Sequence, residues 1–138
     1  MNDKRYFLDT NVLIYAYTDQ HASKAIIANS LIVGGKATIS AQVTNELCHT
    51  LRRRFPVQFA RIELVLAELA SHLPIAPLAF ATTLSAVQLS RRYALSYYDS
   101  LIVAAALDAG CPLLMSEDMQ HGMLIDGRLR IENPFLIA

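Results

Sequence analysis

Four acidic residues, Asp9, Glu46, Asp99 and Asp118, stand where chemistry could be done. Asp9 directly follows the short apolar run ending at Leu8, and Asp118 lies two residues beyond a run ending near Ser116. Asp99 sits in the first turn of a predicted helix, and Glu46 about one turn into the helix that follows a second predicted strand. In open parallel sheets, ligands bind outside the carboxyl ends of the strands, where the next helices begin. Three or four carboxylates converging there would repel one another and lose water, so they need cations to be tolerated. All-oxygen ligands favour Mg²⁺ or Mn²⁺. Ions so held polarise a phosphate and activate a water for in-line attack, which is the chemistry of phosphodiester hydrolysis.

Each acid also has a purely structural explanation. Asp9 is a good N-cap for a helix beginning near Asn11. Ser96-x-x-Asp99 matches a capping box, with the acid favoured by the helix dipole. Glu46 lies at the edge of an apolar stripe, on a surface rim, and Asp118 beside Glu117 could be a solvated turn. The four histidines, at 21, 49, 72 and 121, show no metal-ligand pairing and are read as structural or surface residues.

The elements that must position these acids are legible from pattern. Arg5 to Leu8 reads as a strand, with Val12 to Tyr17 as the helix after it. Ala22 to Val33 has helical composition and stops at Gly34-Gly35. Ala37 to Ser40 is a second strand, leading into a helix over Gln42 to Arg54 that Pro56 ends. Val57 to His72 is a further helix, and Pro74 to Pro77 is extended. Helices from about Phe80 to Tyr93 and from Ser96 to Ala109 follow. Pro112 to Ser116 is a buried strand, and Asp126-Gly127 turns the chain into a last strand, Leu129 to Ile131. Short apolar strands alternating with longer helices indicate an α/β domain with a mainly parallel sheet.

The chain has 138 residues, 54% of them apolar, enough for one domain with a real core and incompatible with disorder. No linker or repeat divides it, so residues 1–138 read as a single domain. The longest uncharged apolar stretch, Leu101 to Leu107, is far short of the ~18 residues of a membrane span. Asp9 interrupts the N-terminal segment before a signal-peptide core develops, which makes the expected location cytoplasmic and Cys48 and Cys111 reduced. Twelve basic residues balance twelve acidic ones, so any attraction for nucleic acid must be local. Arg52 and Arg53, with Arg54 beside them, and the pair Arg91 and Arg92 are candidates for RNA or partner binding. Arginine's planar fork suits phosphate, although cations also favour helix C-termini. Neither a glycine-rich phosphate loop nor a G-x-S-x-G elbow occurs. An aspartyl-phosphate phosphatase or receiver-like domain would also place an acid after the first strand, but Asn11 stands where the former wants a second Asp, and no lysine follows a late strand.

Phe7-Leu8-Asp9-Thr10-Asn11, then Asn45-Glu46, then Tyr98-Asp99-Ser100-Leu101-Ile102, then Ser116-Glu117-Asp118 together resemble the PIN-domain nucleases over essentially the whole chain. A stand-alone domain of this size looks most like a VapC-type toxin of a toxin–antitoxin pair. The resemblance implies a PIN-like α/β fold, with a central, mainly parallel sheet of about four to five short strands flanked by helices. It implies metal-dependent endoribonuclease activity with Mg²⁺ or Mn²⁺, and matches Asp9, Glu46 and Asp99 to the principal carboxylates. Asp118 matches the fourth, preferred over adjacent Glu117 because Ser116-x-Asp118 fits the family's spacing. Thr10, Asn11 and Ser116 match polar positions that support the acids. A homodimer and a cognate antitoxin are implied as well. The remaining alternatives are a stand-alone PIN nuclease in RNA processing and a catalytically silent PIN-like binding module. Separately, a mean hydropathy of +0.32 suggests apolar surface left for an interface, and Tyr97 and Tyr98 could stack an unpaired base.

Overall fold

The computed structural model describes residues 4–137. Its centre is the strand β1, Tyr6–Leu8, all three residues of which are buried. On one side lie β2 (Ala37–Ser40) and then β3 (Ile75–Ala76); on the other lie β4 (Leu113–Met115), β6 (Leu129–Glu132) and β5 (Leu124–Ile125), giving the order β3-β2-β1-β4-β6-β5. Every pairing is parallel except β5 with β6.

The sheet therefore has six strands, against an expected four to five. The unforeseen one is β5, two residues long, which exists because the chain folds back on itself through Asp126 and Gly127. Both have left-handed φ, 51° and 67°, the conformation that Asp-Gly tolerates in a hairpin loop. The Asp126 carboxylate also accepts hydrogen bonds from Arg92 Nη1 at 2.7 Å and from the Tyr93 hydroxyl at 2.9 Å, tying the turn to a helix.

Helices α1 (Thr10–Ala16), α2 (Ala22–Val33), α3 (Ala41–Arg54) and α4 (Phe59–His72) pack among themselves. Helices α5 (Phe80–Tyr93) and α6 (Tyr97–Asp108) form a second group, with α6 against β2 and β4. Residues 100–106 of α6 are buried without interruption, as expected of a helix that is apolar all round and enclosed on every side. Beneath them, Phe7, Leu8, Ile39, Leu114 and Ile131 are fully buried and make the sheet's share of the core.

Two features of this topology fix where a ligand can go. From β1 the chain moves outward to β2 and β3, and then returns to β4 on the opposite side of β1. The order thus reverses between β1 and β4, and a crevice opens at their carboxyl ends. The register Leu8↔Met115, continued by the hydrogen bond from Asp9 N–H to the Met115 carbonyl at 3.0 Å, then sets Asp9 beside Ser116 in that crevice.

Candidate active site

Asp9 is both a helix cap and a buried charge. It is the N-cap of α1, with Oδ1 accepting from the Thr10 backbone N–H at 2.7 Å. Its second oxygen accepts from Ser116 Oγ at 2.8 Å and from Asn11 Nδ2 at 3.1 Å. The residue is only 6% exposed. Burial pushes its pKa from 3.8 up to about 6; the Ser116 and Thr10 hydrogen bonds work against this, and the charges of Asp99 and Glu46 add to it. The carboxylates carried by α3 and α6 therefore act on the acid that follows β1.

Glu46 reaches the site from the second turn of α3. Thr10 Oγ1 donates to its Oε1 at 2.8 Å, and Gln42 Nε2 lies 3.4 Å from its Oε2. The same Gln42 amide donates to the Tyr98 carbonyl at 3.1 Å, which ties the first turn of α6 to α3. At the head of α6, Ser96 Oγ accepts from the Asp99 N–H at 3.2 Å, so one arm of the capping box is formed. The return arm is not, and among the described residues the Asp99 carboxylate accepts no hydrogen bond.

Beyond β4 the two adjacent acids separate. Glu117 turns onto α1 and α2, where Tyr15 Oη donates to it at 2.6 Å and Lys24 Nζ pairs with its other oxygen. Burial opposes its ionisation, but Lys24 and Tyr15 prevail and hold the carboxyl below its ordinary value. Asp118 is exposed, with Oδ2 3.3 Å from Asn11 Nδ2. Asn11 is the hub of this corner: its Nδ2 faces Asp9 and Asp118, and its Oδ1 accepts the Glu117 N–H at 3.0 Å.

All four predicted acids, with Thr10 and Asn11, line one open cleft of about 700 Å³, and Ser116 lies directly behind Asp9. The PIN domain family model matches residues 6–121. The chain belongs to the PIN domain family. Among solved structures, this PIN domain is similar to VapC20 of Mycobacterium tuberculosis, a sarcin–ricin-loop-cleaving toxin. The two are 18% identical over 82% of this chain and 91% of that one, with a TM-score of 0.64. A toxin–antitoxin complex from Klebsiella pneumoniae contains a chain 19% identical, covering 94% of this chain and 97% of that one, with a TM-score of 0.70. VapBC2 of Rickettsia felis, bound to a fragment of promoter DNA, has one 22% identical, covering 93% and 97%, with a TM-score of 0.66. No curated protein matches in sequence.

The arginine candidates divide by location. Arg52 and Arg53 line a neighbouring groove between α3 and α4, whereas Arg91 and Arg92 end α5 away from the cleft, Arg92 in its ion pair with Asp126. Sequence reasoning missed Gln42, named Asn45 only as part of the Asn45-Glu46 motif, and placed neither His49 nor Arg54 at the acids; Asn45, His49 and Arg54 line the cleft of this PIN domain. The signal was available, because Gln42, Glu46, Thr50 and Arg54 form a polar row at four-residue spacing along one side of α3. His121 is structural, its Nδ1 accepting from the Asn133 N–H at 3.0 Å. Tyr98 lines the cleft and meets Tyr97 edge to face, with ring centroids 5.4 Å apart.

The donor set is one a hard divalent cation would accept, since every candidate ligand is a carboxylate oxygen and Asp9 is held against its own ionisation. Among the described residues, no three acidic, histidine or cysteine side chains are gathered tightly enough to enclose an ion. Mg²⁺ keeps several waters when bound and so does not need an all-protein cage.

Proposed function

We propose that this PIN domain is a metal-dependent endoribonuclease that hydrolyses RNA phosphodiester bonds, and that it is the toxin of a toxin–antitoxin pair. One observation carries the nuclease reading: a buried carboxylate, Asp9, is fixed through both oxygens at the crevice between β1 and β4, with its pKa raised to about 6 beside Asp99 and Glu46. A fold that needed Asp9 only as a helix cap would not place two further acids against it. The likeness in fold to VapC20 and to toxin chains bound to their antitoxins supports the toxin role.

In this reading Asp9, Glu46, Asp99 and Asp118 are the carboxylates that would hold Mg²⁺ or Mn²⁺. The metal, when bound, supplies Lewis acidity to the phosphate and lowers the pKa of a water. The chain's own residues do the positioning. Ser116 and Asn11 aim one oxygen of Asp9, and the Thr10 amide fixes the other. The Thr10 hydroxyl and Gln42 hold Glu46 to the cleft wall. Asp99, whose carboxylate accepts no hydrogen bond among the described residues, is left available. The Lys24–Glu117–Tyr15 cluster pairs Glu117, at the cleft wall, with a cation, which reduces the charge that must be neutralised when RNA arrives.

The test is cleavage of a labelled RNA pool by purified protein. Cutting is expected with Mg²⁺ or Mn²⁺ and abolished by EDTA. Activity that survives excess EDTA, or that Ca²⁺ supports as well as Mg²⁺ does, would overturn the mechanism. Co-purification with a small protein expressed from an adjacent reading frame, and loss of cutting in that complex, tests the toxin role.

A further inference from the structure

The nuclease reading leaves unexplained how an RNA strand, repelled by four carboxylates, is held across them. Arg54 is the one lysine or arginine lining the acidic cleft among the described residues. It has no ion-pair partner among them, and its guanidinium lies against the Phe55 ring, 5.1 Å from the centroid. Eight residues along α3 from Glu46, it stands about 12 Å down the helix axis from that acid, too far to share its phosphate and well placed for a neighbouring one.

His49 lines this cleft and also the groove between α3 and α4, so the two depressions adjoin at His49. The second groove is built for something flat and negatively charged. Phe59, 66% exposed at the start of α4, carries the Arg52 guanidinium on its ring at 4.3 Å from the centroid. Arg52 Nη1 is anchored in turn by the Val57 carbonyl at 3.1 Å. Arg53 completes the rim. A fixed cation–aromatic stack beside a basic rim matches the two parts of a single-stranded nucleotide, its base face and its phosphate. An acidic peptide would satisfy the rim but has no use for the stack.

We propose that single-stranded RNA leaves the acidic centre along the C-terminal half of α3, with a flanking phosphate on Arg54 and an adjacent base stacked on the Arg52–Phe59 pair. The proposal rests on the nuclease reading and extends it to a substrate path. Both are substrate-binding positions outside the reacting atoms.

Binding of a fluorescein-labelled single-stranded RNA pool is measured against salt in the Asp9→Asn background, which the proposed reaction does not survive. Adding Arg54→Ala is expected to lower the steepness of log affinity against log salt by about 0.7, one phosphate contact, while Arg54→Lys retains it. Adding Phe59→Ala is expected to weaken binding by about five- to hundredfold with the slope unchanged, because stacking releases no counterion. Phe59 is exposed, so folding is preserved; Phe59→Tyr, which keeps the ring, should bind as the parent does. If both alanine variants bind RNA as the parent does, the path is wrong. Unchanged RNA binding with lost affinity for polyglutamate would assign the groove to a protein partner. Failure of the wild type to cut RNA with Mn²⁺, with the binding changes intact, would overturn the nuclease reading and leave the path standing.

Discussion

Replacing Asp9 by Asn tests whether its carboxylate is held under electrostatic stress, because the effect on stability has a pH dependence that a helix cap alone would not produce. Raising a carboxyl from 3.8 to about 6 corresponds to about 3 kcal/mol at 1.36 kcal/mol per pH unit. Between those values the native state keeps a proton that the unfolded chain has lost. Stability is therefore fully present below about pH 3.8 and falls as pH rises through about 6. Asn carries no such charge. Its amide still caps α1 through the Thr10 N–H, but it cannot accept from both Ser116 and Asn11, a fixed loss of about 1 kcal/mol at any pH. The two contributions separate in the measurement. In EDTA, the stability of Asp9→Asn relative to wild type should improve by about 2 kcal/mol between about pH 4.5 and 7.5, going from about equal to more stable. Urea melts at the two pH values read this directly. Mn²⁺ at about one hundred times its dissociation constant should then return about 2.7 kcal/mol to the wild type and much less to the variant. A difference between the proteins that does not change with pH, or equal stabilisation of both by Mn²⁺, would refute the reasoning.

Two further substitutions probe the rest of the site. Asp99→Asn keeps the backbone N–H that Ser96 accepts and removes a carboxylate with no return bond, so metal-free stability should change by less than about 0.5 kcal/mol while RNA cleavage is lost; a larger, metal-independent destabilisation with cleavage retained would make Asp99 a cap. Glu117→Gln should cost about 0.5–1 kcal/mol near neutral pH. Because Glu117 is held below 4.5, that cost should disappear as pH falls through the acid range, and a pH-independent cost would show that packing rather than charge holds the cluster.

Most of the fold was legible because its elements carry strong local signals. The run of small and apolar residues in α6, the Pro and Gly stops, and the apolar triplets of β1 and β4 each specify their element before tertiary contacts act. The hidden element was β5. Two residues cannot show a period, and Leu124 and Ile125 become a strand only because the Asp126-Gly127 loop brings them against β6. Helix starts were displaced for a similar reason. The helix predicted to begin at Val57 begins at Phe59, because the Val57 N–H instead closes back on the Leu51 carbonyl at 3.0 Å.

Asp9 could be found from topology, since a residue that follows a central parallel strand has few places to go. What the sequence withheld was direction within each element. Arg52, Arg53 and Arg54 look equivalent as a run, yet only Arg54 continues the row through Glu46 and Thr50; Leu47 and Leu51, buried on the flank beside that row, determine how α3 is rotated. Glu117 and Asp118 differ by one step after β4, and what separates them is a lysine at position 24 in another helix. Lys24 sits over the Tyr15 ring at 4.9 Å from the centroid and near the Phe135 ring at 5.6 Å, so the cation that captures Glu117 is held by α1 and by the segment after β6. Once that carboxylate is captured and Asn11 has accepted its backbone N–H, the next residue has no such cation to turn towards. Both acids line the cleft, and a long-range ion pair decides which of the two is already paired with a cation and which, beside Asn11, keeps its carboxylate exposed.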